Sequence, residues 1–190
     1  MKVYLDHGAT TPVDKEVVRA MLPCYTKDFG NASSLHQFGQ KAKEALENSR
    51  EIIAKKLNAE PKEIVFTGSG SESDNLAIKG VAYANKDKGN HIVTSKIEHP
   101  AILETCKSLE KEGFNVTYLS VDKEGFVNLE ELKKSITNKT ILVSIMHANN
   151  EIGTIEPIEE IGKICKEKNV YFHTDAVQSF TKVPIDVKKI

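Results

Sequence analysis

A chain of 190 residues with 39% hydrophobic and 28% charged residues can bury one sizeable core, which excludes a disordered polymer. The net charge of -1, with lysines scattered rather than gathered, gives no electrostatic reason to expect nucleic acid or an anionic membrane as partner. The 3 cysteines, Cys24, Cys106 and Cys165, form no C-x-x-C pair, which argues against a disulfide framework and a cysteine zinc site and for a reducing, cytoplasmic setting.

The chain starts with a short extended piece at 3–5, then a polar turn from Asp6 to Pro12. Asp6 comes too early for a signal-peptide apolar region, and no apolar run approaches membrane-spanning length. The spacing of Val17, Val18, Met21 and Leu22 predicts a helix from Asp14 to Pro23. Phe29 to Ser34 reads as a loop, and Ala42, Ala45, Leu46, Ile52, Ile53 and Leu57 predict a second helix from about Gln37 to Leu57. Glu60-Pro61 ends it, because the residue before proline disfavours the α region. Residues 1–60 therefore read as an N-terminal helical segment.

Over 61–190 the chain alternates, with strands near 63–67, 91–95, 115–119, 140–146 and 169–173. Helices fall near 72–86, 100–112, 128–136 and 157–168. Such alternation predicts an α/β fold with a largely parallel sheet flanked by helices. Four of the apolar runs end in polar clusters: Gly68 to Ser71, Glu98-His99, His147 to Glu151, and Asp175 with Gln178. Ligands bind beyond the carboxyl ends of strands in such sheets, so the clusters are expected to share one crevice.

Each cluster has two readings. Gly68-Ser69-Gly70-Ser71 before a helix suits a phosphate, which would sit on unpaired backbone N–H groups at the positive end of the helix dipole. It also suits a plain helix cap, since Ser71 and Asp74 fit S-x-x-D. The P-loop lysine is absent, Ser73 stands where G-x-G-x-x-G needs its last glycine, and Ser95-Lys96 supply no ribose-binding acid. A lone monoester phosphate fits better than a dinucleotide. His99 before Pro100 suits either a helix start or an imidazole that stacks on a flat ring and moves protons. The His147 to Gly153 stretch suits a turn or an amide that fixes a ligand oxygen. Asp175 suits a helix N-cap or a partner for a pyridinium nitrogen, with Gln178 able to reach the same ring's oxygen. Together these groups describe a pyridoxal 5′-phosphate pocket better than any other cofactor site.

At these residues the chain strongly resembles the cysteine desulfurases of the class-V aminotransferase family. The matching stretches are Tyr4-Leu5-Asp6 with Ala9 to Pro12, Phe29-Gly30-Asn31 with Ser33, Ser34 and His36, and Glu63 to Thr67 with Glu72 to Gly80. They continue through Glu98-His99, Ile141 to His147 with Asn149 to Gly153, and His173 to Ser179. The resemblance implies a type I pyridoxal-phosphate transferase fold, here in part, with 61–190 as the first half of the large cofactor-binding domain. It implies an enzyme, usually a homodimer, that takes sulfur from L-cysteine, leaves L-alanine, and passes a persulfide to iron–sulfur cluster assembly or another transfer pathway.

Carried over by position, the resemblance has Gly70 and Ser71 hold the phosphate, and His99 stack on the ring as a catalytic residue. It has Asn150 and Gln178 contact the ring oxygen, and Asp175 the ring nitrogen. His7-Gly8 and Gly68 to Ser71 depart from the usual pattern, although Ser71 keeps a hydroxyl where threonine is usual. The family's Schiff-base lysine, substrate-carboxylate arginine and persulfide cysteine fall beyond the position of Ile190. The chain is therefore expected to be an N-terminal portion, incompetent alone, associating with a second copy or a complementing C-terminal chain. A sulfur acceptor or iron–sulfur scaffold protein is the implied further partner. The alternatives are selenocysteine lyase or another class-V activity, and a non-catalytic half of a split enzyme.

Overall fold

A computed structural model describes residues 1–190, which divide into two compact units, Met1–Val65 and Phe66–Ile190.

In the first unit, helix α1 spans Lys15–Thr26 and helix α2 spans Gln37–Leu57. The Asp14 carboxylate caps α1 by accepting from Glu16 N at 2.7 Å. The helix continues past the stop expected at Pro23, because Lys27 and Asp28 N–H groups both donate to Pro23 O and close its last turn. Helix α2 starts under the His36 imidazole, whose Nδ1 accepts from Gly39 N, and stops where Asn58 turns left-handed at φ 57°.

The strand expected at 63–67 does not form. Pro61–Glu63 is a 3-10 turn closed by Glu60 N donating to the Glu63 carboxylate at 2.7 Å. Ile64 is extended, yet no strand pairs with this segment, and Val65 and Phe66 are exposed. β-prone side chains set the dihedrals of a strand but do not supply the neighbour whose N–H and C=O groups complete a ladder.

The second unit is an α/β sandwich. Its elements are α3 Gly70–Ala84, β1 His91–Ser95, α4 Pro100–Lys111, β2 Asn115–Leu119, α5 Leu129–Ser135, β3 Thr140–Ser144, α6 Ile158–Glu167 and β4 Tyr171–His173. The four strands are all parallel in the order β2-β1-β3-β4. Ile92 pairs with Val116 and Leu142, and Val143 with Val93 and Phe172.

Successive strand residues face opposite sides, so each face acquires its own apolar layer. A register shift of β3 against His91 and Ile92 lets the neighbours Ile141 and Leu142 join the same one. Ile92, Ile141 and Leu142 pack with Ile78 and Ala82 of α3 and Ile102, Cys106 and Leu109 of α4. Val93, Val143 and Ile145 pack with Leu132 of α5 and Ile161, Ile164 and Cys165 of α6. β1 and β3 are buried along their whole length, as strands covered on both faces must be. Each fully buried large aliphatic side chain contributes roughly 1.5–3 kcal/mol.

β4 begins later than expected because Asn169, at φ 55°, ends α6 in a left-handed turn. Gly89, just before β1, lies so close to the Lys139 carbonyl that a Cβ there would sit 2.2 Å from its oxygen. Gly89→Ala is expected to cost about 1–3 kcal/mol, read as a lower urea midpoint, because backbone rather than a mobile side chain must yield. No helix is long and apolar enough to cross a membrane.

Candidate active site

The connection from β1 leads outward to β2, and β3 returns to the other side of β1. The strand order therefore reverses between β1 and β3, and the crevice at their carboxyl ends is the expected ligand site of such a sheet.

Side chains tie the strand ends together there. Glu98 Oε1 accepts from Ser95 Oγ at 2.6 Å and from Met146 N at 3.0 Å, which joins the loop after β1 to the chain after β3. Asn149 Nδ2 donates to Ile97 O at 3.0 Å, while its Oδ1 accepts from the Glu151 and Ile152 N–H groups. β3 stops at Ser144, short of the expected 146, where the Glu98 carboxyl takes the Met146 N–H in place of a backbone carbonyl of β1. The extended path still continues, with Ile145 N donating to His173 O and His147 N to Asp175 O. Gly153, at φ 77°, closes the turn that presents half-buried Asn150.

The glycine-serine loop does not follow a strand, but it does open a helix. Ser69, rather than Ser71, is the N-cap: its Oγ accepts from Glu72 N at 3.1 Å, and Glu72 Oε2 accepts from Gly68 N at 2.6 Å. Those two bonds leave the Ser71 hydroxyl, which is exposed, out of the cap. Gly70 and Ser71 N–H groups lie in the first turn, where no carbonyl of the helix reaches them.

The loop after β4 lies directly against this helix start. A Cβ on Gly70 would stand 3.0 Å from Val177 Cγ2. Asp175 is buried to 9% exposure, and no helix follows it, so the capping reading fails. Instead Oδ1 accepts from Val177 N at 2.9 Å, which orients the carboxylate. Gln178 follows in the same turn, half-buried. The structure thus brings Gly70, Asp175 and Gln178 into one neighbourhood. His99 and Asn150 stand at the ends of β1 and β3 and make no hydrogen bond to Asp175. His99 caps α4, its Nδ1 accepting from Ala101 N at 3.1 Å.

Three buried titratable groups stand beside these residues, and sequence reasoning gave none of them a part in holding a ligand. The Glu98 carboxyl is pushed up to about 8 by burial, against which its bonds to Ser95 and Met146 work. Burial, then the charge of Asp175, pushes the Asp74 carboxyl up to about 7. Burial pushes the His173 imidazole down to about 4, opposed by Asp175. Its Nδ1 lies 2.9 Å from Ser144 Oγ. Runs of polar residues at strand ends were the visible signal for Glu98 and His173, while Asp74 lies inside α3; which of them are desolvated was not visible.

The Aminotransferase class-V family profile matches residues 3–190. The chain belongs to the class-V aminotransferase family. It is 64% identical over 187 residues to Cysteine desulfurase IscS of Clostridium botulinum, covering 98% of this chain and 47% of that protein. The match to Cysteine desulfurase IscS of Methanosarcina thermophila is 60% over 188 residues, covering 99% and 46%. Among solved structures, a NifS-like protein is 45% identical with a TM-score of 0.96, covering 100% of this chain and 52% of that one. SspA in complex with cysteine is 46% identical with a TM-score of 0.94, covering 98% and 54%. This class-V chain spans about half the length of the curated relatives it matches.

The residues present fit a pyridoxal phosphate. The helix start offers unpaired N–H groups and a hydroxyl to an anion, and Gly70 leaves open the space a side chain would fill. The Asp175 carboxylate, with one oxygen held by backbone, suits a cationic ring nitrogen.

Proposed function

We propose that this chain forms part of the pyridoxal 5′-phosphate site of a cysteine desulfurase. The observation that carries the reading is the contact between the first turn of α3 and the Asp175–Gln178 turn, in a chain 64% identical to a cysteine desulfurase. When bound, the cofactor supplies an electron sink for bonds at the amino-acid substrate's carbons.

Every other contribution comes from the chain. Gly70 and Ser71 hold the phosphate with N–H groups and the Ser71 hydroxyl. Asp175 holds the ring nitrogen in its protonated form, and Asn150 and Gln178 hydrogen-bond the ring oxygen. His99 stacks on the ring. Because its Nδ1 accepts the Ala101 N–H, the neutral ring carries its proton on Nε2, the nitrogen left to exchange protons in the crevice. Glu98 and Asn149 keep the β1 and β3 ends at fixed separation, so these groups stay aligned.

L-cysteine is the proposed substrate, supported by the cysteine desulfurase relatives and by a structural neighbour, SspA, solved with cysteine. A second copy of the chain, a sulfur-accepting or iron–sulfur scaffold protein, and a cytoplasmic setting complete the reading.

Titration of the 190-residue chain with pyridoxine 5′-phosphate, followed by ring fluorescence, tests the site. That ligand lacks the aldehyde, so surface lysines do not trap it. Saturable binding is expected, and Gly70→Val should weaken it about tenfold or more by filling the cradle beside Val177. Absence of binding overturns the site. The reaction is tested by mixing the chain with the remaining portion of the Clostridium botulinum relative and following L-cysteine. With an added dithiol to reduce the persulfide's outer sulfur, equal yields of alanine and sulfide are expected, and a keto-acid product in their place would refute the desulfurase reading.

A further inference from the structure

Behind the Asp175 carboxylate lies a second acid that the functional reading does not use. Asp74 of α3 is 4% exposed, and its Oδ1 stands 3.6 Å from His173 Nε2, too far for a hydrogen bond but within electrostatic reach. The other ring nitrogen of His173 meets Ser144 Oγ at 2.9 Å. Asp175 follows His173 by two residues. α3 and β4 therefore place the Asp74 carboxyl against a buried imidazole two residues before Asp175, near enough for the Asp175 charge to act on Asp74.

The two acids are unequal. Asp175 accepts a backbone N–H from Val177. Asp74 accepts no backbone N–H, and a desolvated carboxylate without a donor is costly. Like charges in one buried site also oppose each other, so the first proton to leave makes the second harder to remove.

We propose that Asp74 and Asp175 act as a coupled carboxyl pair beside His173, in which Asp74 keeps its proton until a ring-protonated pyridine phosphate docks on Asp175. This rests on the cofactor site proposed above. Docking places a positive charge beside the pair and removes the repulsion that held the Asp74 proton, which passes to solvent. The doubly charged pair then holds the ring nitrogen more firmly in its protonated form. Asp74 is thus a positioning residue, acting through Asp175 rather than on the ring. Two carboxyls and an imidazole surround it: β4 and its following loop supply His173 and Asp175, and the loop after β1 supplies the buried Glu98 carboxyl, which Asp175 also acts on. The β3 strand supplies the Ser144 hydroxyl, and α4 faces α3 with Ile102, Leu109 and the Cys106 thiol. Burial holds the Cys106 thiol up at about 12, so it stays neutral over the range tested.

The test compares the chain with its Asp74→Asn variant, titrating pyridoxine 5′-phosphate from about pH 6 to about pH 8. The ligand's own ionisations are common to both proteins, so the ratio of their dissociation constants isolates Asp74. At the acid end, protonated Asp74 resembles asparagine and the ratio should be near one. At the alkaline end, the parent chain should bind about tenfold tighter, the effect of a one-unit displacement of the Asp74 titration on binding. A ratio constant across the range, with binding intact, overturns the coupling.

Carbon NMR of the Asp74 carboxyl in the parent chain gives a second readout that needs no variant. Its midpoint should lie near 7 without ligand and fall by a unit or more at saturation. An unmoved midpoint also overturns the proposal. Failure of the parent chain to bind at any pH would instead remove the cofactor site itself, and the coupling with it.

Discussion

Alanine at position 175 is expected to weaken pyridoxine 5′-phosphate binding roughly 10- to 150-fold, the loss of a charge-assisted hydrogen bond worth about 1.5–3 kcal/mol. The effect should come from the ligand contact and not from the fold. The Asp175 side chain holds only the Val177 N–H, whereas the tie between the β3 and β4 ends runs through main chain, His147 N to Asp175 O at 2.9 Å. That bond survives truncation. The variant should therefore keep its urea midpoint within about 1 kcal/mol while losing affinity. Asp175→Asn should keep the shape but lose the charge, and recover little of the binding to a cationic ring. A dissociation constant unchanged by either substitution would remove Asp175 from the site.

The second large effect concerns Glu98 and pH. In the unfolded chain this carboxyl ionises near 4.5, and burial raises it to about 8 in the fold. Between those values the unfolded state has given up a proton that the folded state keeps. Stability therefore falls as pH rises through that window, and levels off once the folded group also ionises. The full swing is at most about 5 kcal/mol.

Glutamine removes the swing, because it cannot ionise yet still offers an oxygen to Ser95 Oγ and Met146 N. Near pH 5, Glu98→Gln should match the parent within about 1 kcal/mol; near pH 9 it should be the more stable by roughly 2–4 kcal/mol. Asp74 and Glu156, both raised to about 7 chiefly by burial, add slopes of the same sign. His173, lowered by burial to about 4, adds the opposite slope, gaining stability as pH rises from there to its ordinary value near 6.5. Those contributions are shared by both proteins, so the difference between their urea midpoints isolates Glu98. Parallel pH curves would mean that Glu98 is ionised in the fold.

Much of the α/β unit was legible along the chain. The helix at 100–111 opens at Pro100 and runs through Ile102, Cys106 and Leu109, a spacing that declares its buried face. β1 and β3 read as continuous apolar runs because both of their faces are covered. The expected strand at 63–67 failed for want of a neighbour, which no local pattern encodes. The cap of α3 was misplaced by two residues, since S-x-x-D and S-x-x-E overlap between Ser69 and Asp74 and only backbone geometry chooses between them. The neighbouring asparagines divide similarly: Asn149 is consumed by Ile97 O and two backbone N–H groups, which leaves Asn150 as the one available to a ligand.

By itself, the order of residues determined the class of fold, the family and the chemical types gathered at the strand ends. Periodicity, capping and turn chemistry act over a few residues and are written in consecutive positions. Only the tertiary structure decided that the turn at 175–178 lies against the start of α3, that Asp74 sits behind His173, and that Glu98 joins two strand ends while shut away from water. Desolvation and like-charge repulsion depend on neighbours distant in the chain, so the protonation of these acids is a property of the packed sheet and not of any segment within it.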